Sequence, residues 1–330
     1  MKVKHWPKLV SRFILIFSAL AILVGSCSWL PIERVILPTP TAAPIETEVI
    51  SEQRTPAVRF LDVPYASQSA AQKLDVYIPS GGGPYPLVIV IHGGGFETGD
   101  KAGSNEKQRI NLLVRNGFAV ASINYRLSGE AIYPAQIHDA KTALRFLRSK
   151  AAEYNIDLDR IGVWGASAGG TLAALLGTTC GVEDLEGSQL GHAEYSGCVS
   201  AVVDWFGLVD LLAMDAQFAG TRCEGGHNEP DSAESRLVGA PLQTVPGLVA
   251  KTNPANYISE DDAAFFIQHG SDDCRVPPKQ SRLFAEALMS VLGEERVIYE
   301  EIEGAVHGGK IFRTDENYQK VLNFLNEFLN

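Results

Sequence analysis

Two rhythms alternate along most of this chain. Pro86-Leu87-Val88-Ile89-Val90-Ile91 is a continuous apolar run, the pattern of a strand buried on both faces. Phe118 to Ile123, Arg160-Ile161-Gly162-Val163-Trp164, Val199 to Val203 and Ala264 to Gln268 repeat it. Two amphipathic strands precede it, near 57–63 and 72–78, and the alternating Arg296-Val297-Ile298-Tyr299-Glu300 reads as the last strand. Helical periodicity fits 105–115, 135–152, 168–177, 278–292 and 314–329. Repeated strand–helix units predict an α/β fold, a doubly wound, mostly parallel eight-stranded sheet with helices on both faces. No internal repeat is present. Residues 207–258 break the rhythm with Gly225-Gly226, Pro230, Pro241, Pro246 and Pro254. They are expected to form an insertion, a small cap or a long loop, over the C-terminal edge of the sheet, where ligands bind in such folds.

The first residues follow neither rhythm. Lys2, Lys4, Lys8 and Arg12 make a positive start, and Phe13 to Val24 is an apolar run too short to span a bilayer comfortably. Val24-Gly25-Ser26-Cys27 then resembles a bacterial lipobox, in which the cysteine is lipidated and becomes the new N-terminus. Residues 1–26 are therefore expected to be a lipoprotein signal peptide, with Cys27 the lipidation site; a plain signal peptide or an uncleaved anchor is the alternative. Residues 27–56 carry Pro31, Pro38, Pro40, Pro44 and Pro56 and read as an extended tether. That leaves 57–330 for the folded domain, exported and lipid-anchored to the outer face of a bacterial membrane, or else secreted.

Composition changes this picture in two respects. Removing the four basic residues of the leader leaves 24 Lys+Arg against 39 Asp+Glu, a net charge of −15. An acidic surface argues against nucleic acid and against anionic headgroups as partners, so any membrane attachment would come through lipid chains. The cysteines agree with export. Besides Cys27 there are four, Cys180, Cys198, Cys223 and Cys274, and an even number in an exported domain suggests disulfides. Four cysteines allow three pairings. Cys180 ends one helix and Cys198 opens the next strand, which favours 180–198 with 223–274; buried free thiols are the alternative. No spacing resembles a zinc site, the histidines are scattered, and no cofactor is expected. Nothing in the sequence speaks to oligomeric state.

The chemistry centres on Gly165-Ala166-Ser167-Ala168-Gly169, which fits G-x-S-x-G between an apolar strand and the helix-like run Gly170 to Leu176. Strand, tight turn and helix are the context of a nucleophile elbow. The turn lifts the hydroxyl clear of the sheet, and the helix N-terminus behind it favours negative charge. A glycine-rich turn with an ordinary serine is the plainer reading, which the partners below make untenable. A serine hydroxyl needs a base, and the base needs a carboxylate to hold it. Chain order in this architecture is Ser, acid, His. His192, His227, His269 and His307 follow Ser167, but only His307 also follows the last strand, in a glycine-flanked loop. The acid belongs in the turn His269-Gly270-Ser271-Asp272-Asp273-Cys274-Arg275-Val276-Pro277, where chain geometry does not choose between Asp272 and Asp273. Asp204 is a third seat, and Asp210 reads as a structural carboxylate. An oxyanion hole needs backbone amides, one from Ala168 and others from His92-Gly93-Gly94-Gly95-Phe96, whose glycines let amides approach a substrate. His92 is expected to anchor that loop.

These motifs resemble the α/β-hydrolase superfamily, in the branch of HGGG-type esterases related to hormone-sensitive lipase and to bacterial feruloyl and acetyl-xylan esterases. The resemblance runs over about residues 57–310. It also includes Leu74-Asp75-Val76-Tyr77, Gly99-Asp100-Lys101, Asn124-Tyr125-Arg126-Leu127, Asp204-Trp205-Phe206-Gly207 and Asn253-Pro254. It implies an α/β-hydrolase fold, oxyanion donors at Gly94, Gly95 and Ala168, and the acid at Asp273 through the pattern H-G-x-x-D-x-x-V-P. Asp100, Tyr125, Arg126 and Asp139 would buttress the glycine loop. Cys274 departs from the commoner small residue or proline after the acid, which fits a disulfide there.

The implied activity is that of a serine carboxylesterase on short or aromatic acyl groups, on plant polysaccharides among other esters, through an acyl-enzyme. Trp205 and Phe206 would form either an aromatic wall near Ser167 or part of the core. A peptidase of the prolyl oligopeptidase kind shares this core but carries a large β-propeller, for which the residues before 57 offer no room. Haloalkane dehalogenases place aspartate, and dienelactone hydrolases cysteine, where Ser167 stands. A non-catalytic surface lipoprotein that binds a ligand is the remaining class, and it would normally have lost one of these residues.

Overall fold

The computed structural model describes residues 56–330. The expected signal peptide, Cys27 and the expected tether lie outside them, except that Pro56, read as the tether's last residue, opens the first strand. Eight strands form one sheet: β1 (Pro56–Pro64), β2 (Lys73–Pro79), β3 (Tyr85–Ile91), β4 (Ala119–Ile123), β5 (Ile156–Ala166), β6 (Ala201–Trp205), β7 (Ala264–Gly270) and β8 (Val297–Ile302). Their spatial order is β1-β2-β4-β3-β5-β6-β7-β8. β2 is antiparallel to both β1 and β4, and every later pairing is parallel. Four longer helices connect strands, α1 (Ser104–Arg115), α2 (Ala135–Ser149), α3 (Ala168–Thr178) and α4 (Lys279–Leu292), and a fifth, α5 (Asp315–Leu329), follows β8. The helical pattern at 135–152 is broken at Lys150, beyond which a single turn, Ala151–Tyr154, completes it.

The apolar run of β3 shows why the sheet is covered on both sides. Successive side chains of a strand point to opposite faces. Leu87, Ile89 and Ile91 join a core with α2, α3 and α4, while Val88 and Val90 join a second core with α1 and α5. All five are fully buried. The same division on β5 sends Ile161 and Val163 to the first core and Trp164 to the second.

The insertion at 207–258 folds into short helices, Met214–Phe218, Ala233–Val238 and Pro246–Ala250, with 3-10 turns between them. It also contributes to the core. Leu208, Val209, Leu211, Met214, Leu237, Val238, Leu242 and Val249 are buried in the first core, and Phe218 is buried outside it. Its loop is tied down locally, because the Asp215 carboxylate accepts the amides of Gly226, His227 and Asn228 at 2.9 to 3.0 Å. Gln280 on α4 takes the amides of Val209 and Asp210 at 2.8 and 2.7 Å. Asp210 caps the following turn through Leu212 N, in keeping with a structural carboxylate.

Disulfides join Cys180 to Cys198 and Cys223 to Cys274. Cys198 lies just ahead of β6 rather than in it. The second bond fastens the insertion to the β7–α4 turn. Among the described residues no helix is long and apolar enough to cross a membrane.

Candidate active site

Ser167 sits between β5 and α3 with φ 56° and ψ −126°. That backbone conformation is unfavourable for a residue with a side chain, and it persists only where the surroundings impose it. They do so through glycine. A Cβ on Gly165 would lie 1.9 Å from the Gly169 carbonyl oxygen, so only glycine lets strand and helix meet so closely. The Ser167 amide donates to Trp205 O at 2.9 Å, which fixes the turn against β6.

His307 comes from the loop after β8. Its Nε2 lies 2.9 Å from Ser167 Oγ and its Nδ1 lies 2.6 Å from Asp273 Oδ2. A carboxylate can only accept, so the ring proton sits on Nδ1 and the Nε2 lone pair faces the serine hydroxyl. Asp273 is 1% exposed. Its Oδ1 accepts the amides of Arg275 and Val276 at 2.8 and 3.0 Å. A second histidine reaches the same carboxylate, His269 Nε2 at 3.2 Å from Oδ2. His269 also donates to Val276 O at 3.0 Å, and its Nδ1 accepts from Ser281 Oγ at 2.7 Å. Burial alone would raise the Asp273 pKa. Hydrogen bonds from His269 and His307 outweigh that and hold it well below the usual carboxylate range.

The other two candidate acids stand elsewhere. Asp272 is half exposed and pairs with Arg222 at 2.8 Å. Asp204 is fully buried behind the elbow, accepting Gly207 N at 2.9 Å, and among the described residues its other oxygen has no partner. Burial pushes its pKa up to about 7.

The glycine loop packs directly on the elbow. A Cβ on Gly93 would come within 2.7 Å of Ala166 O and 3.2 Å of Ser167 Cβ. Gly94 has φ 116° and Gly95 φ 62°, both in the region that glycine adopts most easily. Among the described residues the amides of Gly94 and Gly95 donate to no protein acceptor. Ala168 is the first residue of α3, where an amide has no carbonyl one turn back.

The expected supports of this loop are in place. The Tyr125 ring stacks on His92 at 4.5 Å and its hydroxyl donates to His92 O at 3.0 Å. His92 Nδ1 lies 2.8 Å from Gly93 O, and burial lowers its pKa. Asp100 binds Asn124 Nδ2 at 2.9 Å, and Arg126 pairs with Asp139 at 2.8 Å. Arg236 of the insertion pairs with Glu97, which closes the loop from the other side.

Ser167, His307 and the glycine loop line a cavity of about 950 Å³. The insertion supplies one wall, including His227 and Glu234, paired at 3.0 Å. Burial opposes the charge on His227, but Glu234 prevails and raises its pKa. Trp205 and Phe206 turn out to be both things at once. Each is 4% exposed and packed in the second core, yet each lines the cavity. Among the described residues no cluster of three His, Cys, Asp or Glu side chains could hold a metal.

Sequence reasoning gave no task to His269, although the H-G-x-x-D pattern names it. Nor did it single out Glu106 and Arg109, which also line the cavity. The signal was present, since both fall on the helical stripe of Ile110, Leu113 and Val114 that α1 buries.

A strained serine on a strand–turn–helix elbow, at the C-terminal end of a central strand of a mostly parallel sheet and beside a glycine loop, defines an α/β-hydrolase. The chain belongs to the BD-FAE family, whose model matches residues 74–288. It is 30% identical over 260 residues to Esterase LipQ of Mycobacterium tuberculosis, a match covering 76% of this chain and 57% of that one. Matches to two further proteins of that organism cover 62% and 55% of their lengths, so the chain spans little more than half of these curated relatives. Among solved structures, a truncated carbohydrate esterase from gut microbiota is 34% identical, with a TM-score of 0.75, over 83% of this chain and 96% of that one. An acetyl ester-xyloside bifunctional hydrolase from Caldicellulosiruptor lactoaceticus is 26% identical, with a TM-score of 0.58, over 77% and 85%.

Proposed function

We propose that the protein is a serine carboxylic-ester hydrolase acting on short-chain or aromatic acyl esters, including acetyl or feruloyl groups on polysaccharides. The observation that carries this reading is the unbroken line from Ser167 Oγ through His307 to Asp273, at 2.9 and 2.6 Å. Ser167 attacks the ester carbonyl while His307 takes its proton. The oxyanion is met by the amides of Gly94, Gly95 and Ala168. His307, now charged and held by Asp273, protonates the leaving alcohol. Water then repeats the sequence on the acyl-enzyme and frees Ser167. The names of the structural neighbours support a carbohydrate ester as substrate.

Short acyl groups are expected because the cavity wall is polar on the insertion side, with Glu224, His227 and Glu234, and aromatic rather than trough-like on the other. Each methylene of a long chain would need about 0.8 kcal/mol of apolar burial that such walls do not provide. In a p-nitrophenyl ester series from two to sixteen carbons, kcat/KM should peak at two to four. Values that keep rising beyond about eight carbons would mean that the insertion forms a long apolar channel.

The lipobox at 24–27 supports export and lipid anchoring through Cys27. Expression of Cys27→Ser in a bacterial host, followed by fractionation and mass analysis, should release the protein from the membrane fraction. Retention as firm as that of the wild type would point to an uncleaved helix instead.

A further inference from the structure

The cavity does not end at the triad. His307 touches Phe206 at 4.6 Å, Phe206 meets Phe312 at 4.8 Å, and Phe312 meets Trp205 at 5.4 Å. Trp205 lies nearly parallel to Tyr318 at 6.2 Å. This line of rings leads to the first turns of α1, where Arg313 donates to Asn105 at 3.0 Å. Glu106 and Arg109 wall the same cavity there.

Both charges are almost wholly buried, at 7% and 2% exposure, and pair at 2.6 Å. Arg109 also lies over the Trp164 ring, 5.7 Å from its centre. The pair uses Glu106 Oε1, and among the described residues Oε2 has no partner. Gly103 leaves room for that second oxygen, since a Cβ there would lie 2.2 Å from it. In the same wall the Trp205 indole N–H is buried without an acceptor among the described residues.

A buried ion pair is a poor source of stability, because apolar side chains of similar volume do as well or better. An acyl chain gains nothing from it either. A polyhydroxylated alcohol does. One hydroxyl can donate to the free carboxylate oxygen, another can accept from the guanidinium, and the aromatic rings cover the C–H faces. We infer that Glu106, held in place by Arg109, is the specificity-determining group of an alcohol subsite that receives a sugar ring of the ester substrate. This rests on the esterase reading above.

The test compares an O-acetylated methyl pyranoside with p-nitrophenyl acetate, whose leaving group carries no aliphatic hydroxyl. Wild type and Glu106→Gln are assayed on both. The ratio of kcat/KM for the sugar ester to that for p-nitrophenyl acetate should fall at least about tenfold in the variant, mostly through KM, as expected for loss of a charged hydrogen-bond acceptor. The unacetylated methyl pyranoside should also inhibit wild type competitively, and inhibit the variant less. A ratio within about twofold of wild type, whether both activities fall together or neither does, overturns the subsite. Should Glu106→Gln fail to fold by circular dichroism, Glu106→Asp keeps the charge and withdraws the oxygen by one methylene; the same fall in the ratio is expected, and an unchanged ratio is equally decisive. A wild type that hydrolyses p-nitrophenyl acetate but neither uses the sugar ester nor binds the sugar also overturns the subsite. A wild type inactive on both esters sinks the esterase reading itself.

Discussion

Replacing Ser167 by alanine is expected to abolish ester hydrolysis, with a loss in kcat of at least about four orders of magnitude and the fold unchanged. The oxygen removed is the one that would form the acyl-enzyme. His307 has no alternative hydroxyl on its Nε2 side among the described residues. Whatever activity remains would come from the glycine loop and from binding alone, because members of a triad act as a unit. The fold should survive because the elbow is imposed by glycine contacts and by the Ser167 backbone amide, not by its side chain. Ester hydrolysis on p-nitrophenyl acetate, with circular dichroism as control, reads the result. Activity within about tenfold of wild type would remove Ser167 from the reaction.

The second large effect separates two adjacent carboxylates. Asp273→Asn is expected to lower kcat by about four orders of magnitude, because an amide in that seat favours the wrong tautomer of His307. Asp272→Asn should stay within about threefold of wild type, since its exposed pair with Arg222 is of a kind that contributes little. The comparison is a pair of kcat values on one ester. Equal losses, or a larger loss at 272, would refute the choice of acid.

That pair also marks the limit of what could be read from the sequence. The turn after β7 announced a carboxylate, but neighbouring residues in a tight turn project in different directions. Chain geometry left the two open and the H-G-x-x-D-x-x-V-P resemblance implied Asp273; the fold puts Asp273 under His307 and His269 and sends Asp272 toward Arg222. The sheet was far more legible. The apolar run at 86–91 can be satisfied only by burial on both faces, and β3 occupies the middle of the sheet accordingly. The elbow was legible for a related reason, since Gly165 and Gly169 admit no side chain. The insertion was harder. Its helices run five or six residues, too short for a 3.6-residue period to register, and its buried side chains are dispersed among polar ones. The cavity's charged wall was missed although Glu106 and Arg109 share the stripe of Ile110, Leu113 and Val114, because nothing in the sequence says that this end of the stripe faces a cavity and not the apolar core.

Covalent capture is the most direct test of the proposed nucleophile. Wild type treated with a serine-reactive fluorophosphonate should lose ester hydrolysis in step with the gain of one phosphonyl group per chain. Peptide mapping should place that group on Ser167, and Ser167→Ala should take up none. Labelling of another residue, or a mass gain that persists in Ser167→Ala, would contradict the assignment of Ser167 as the nucleophile.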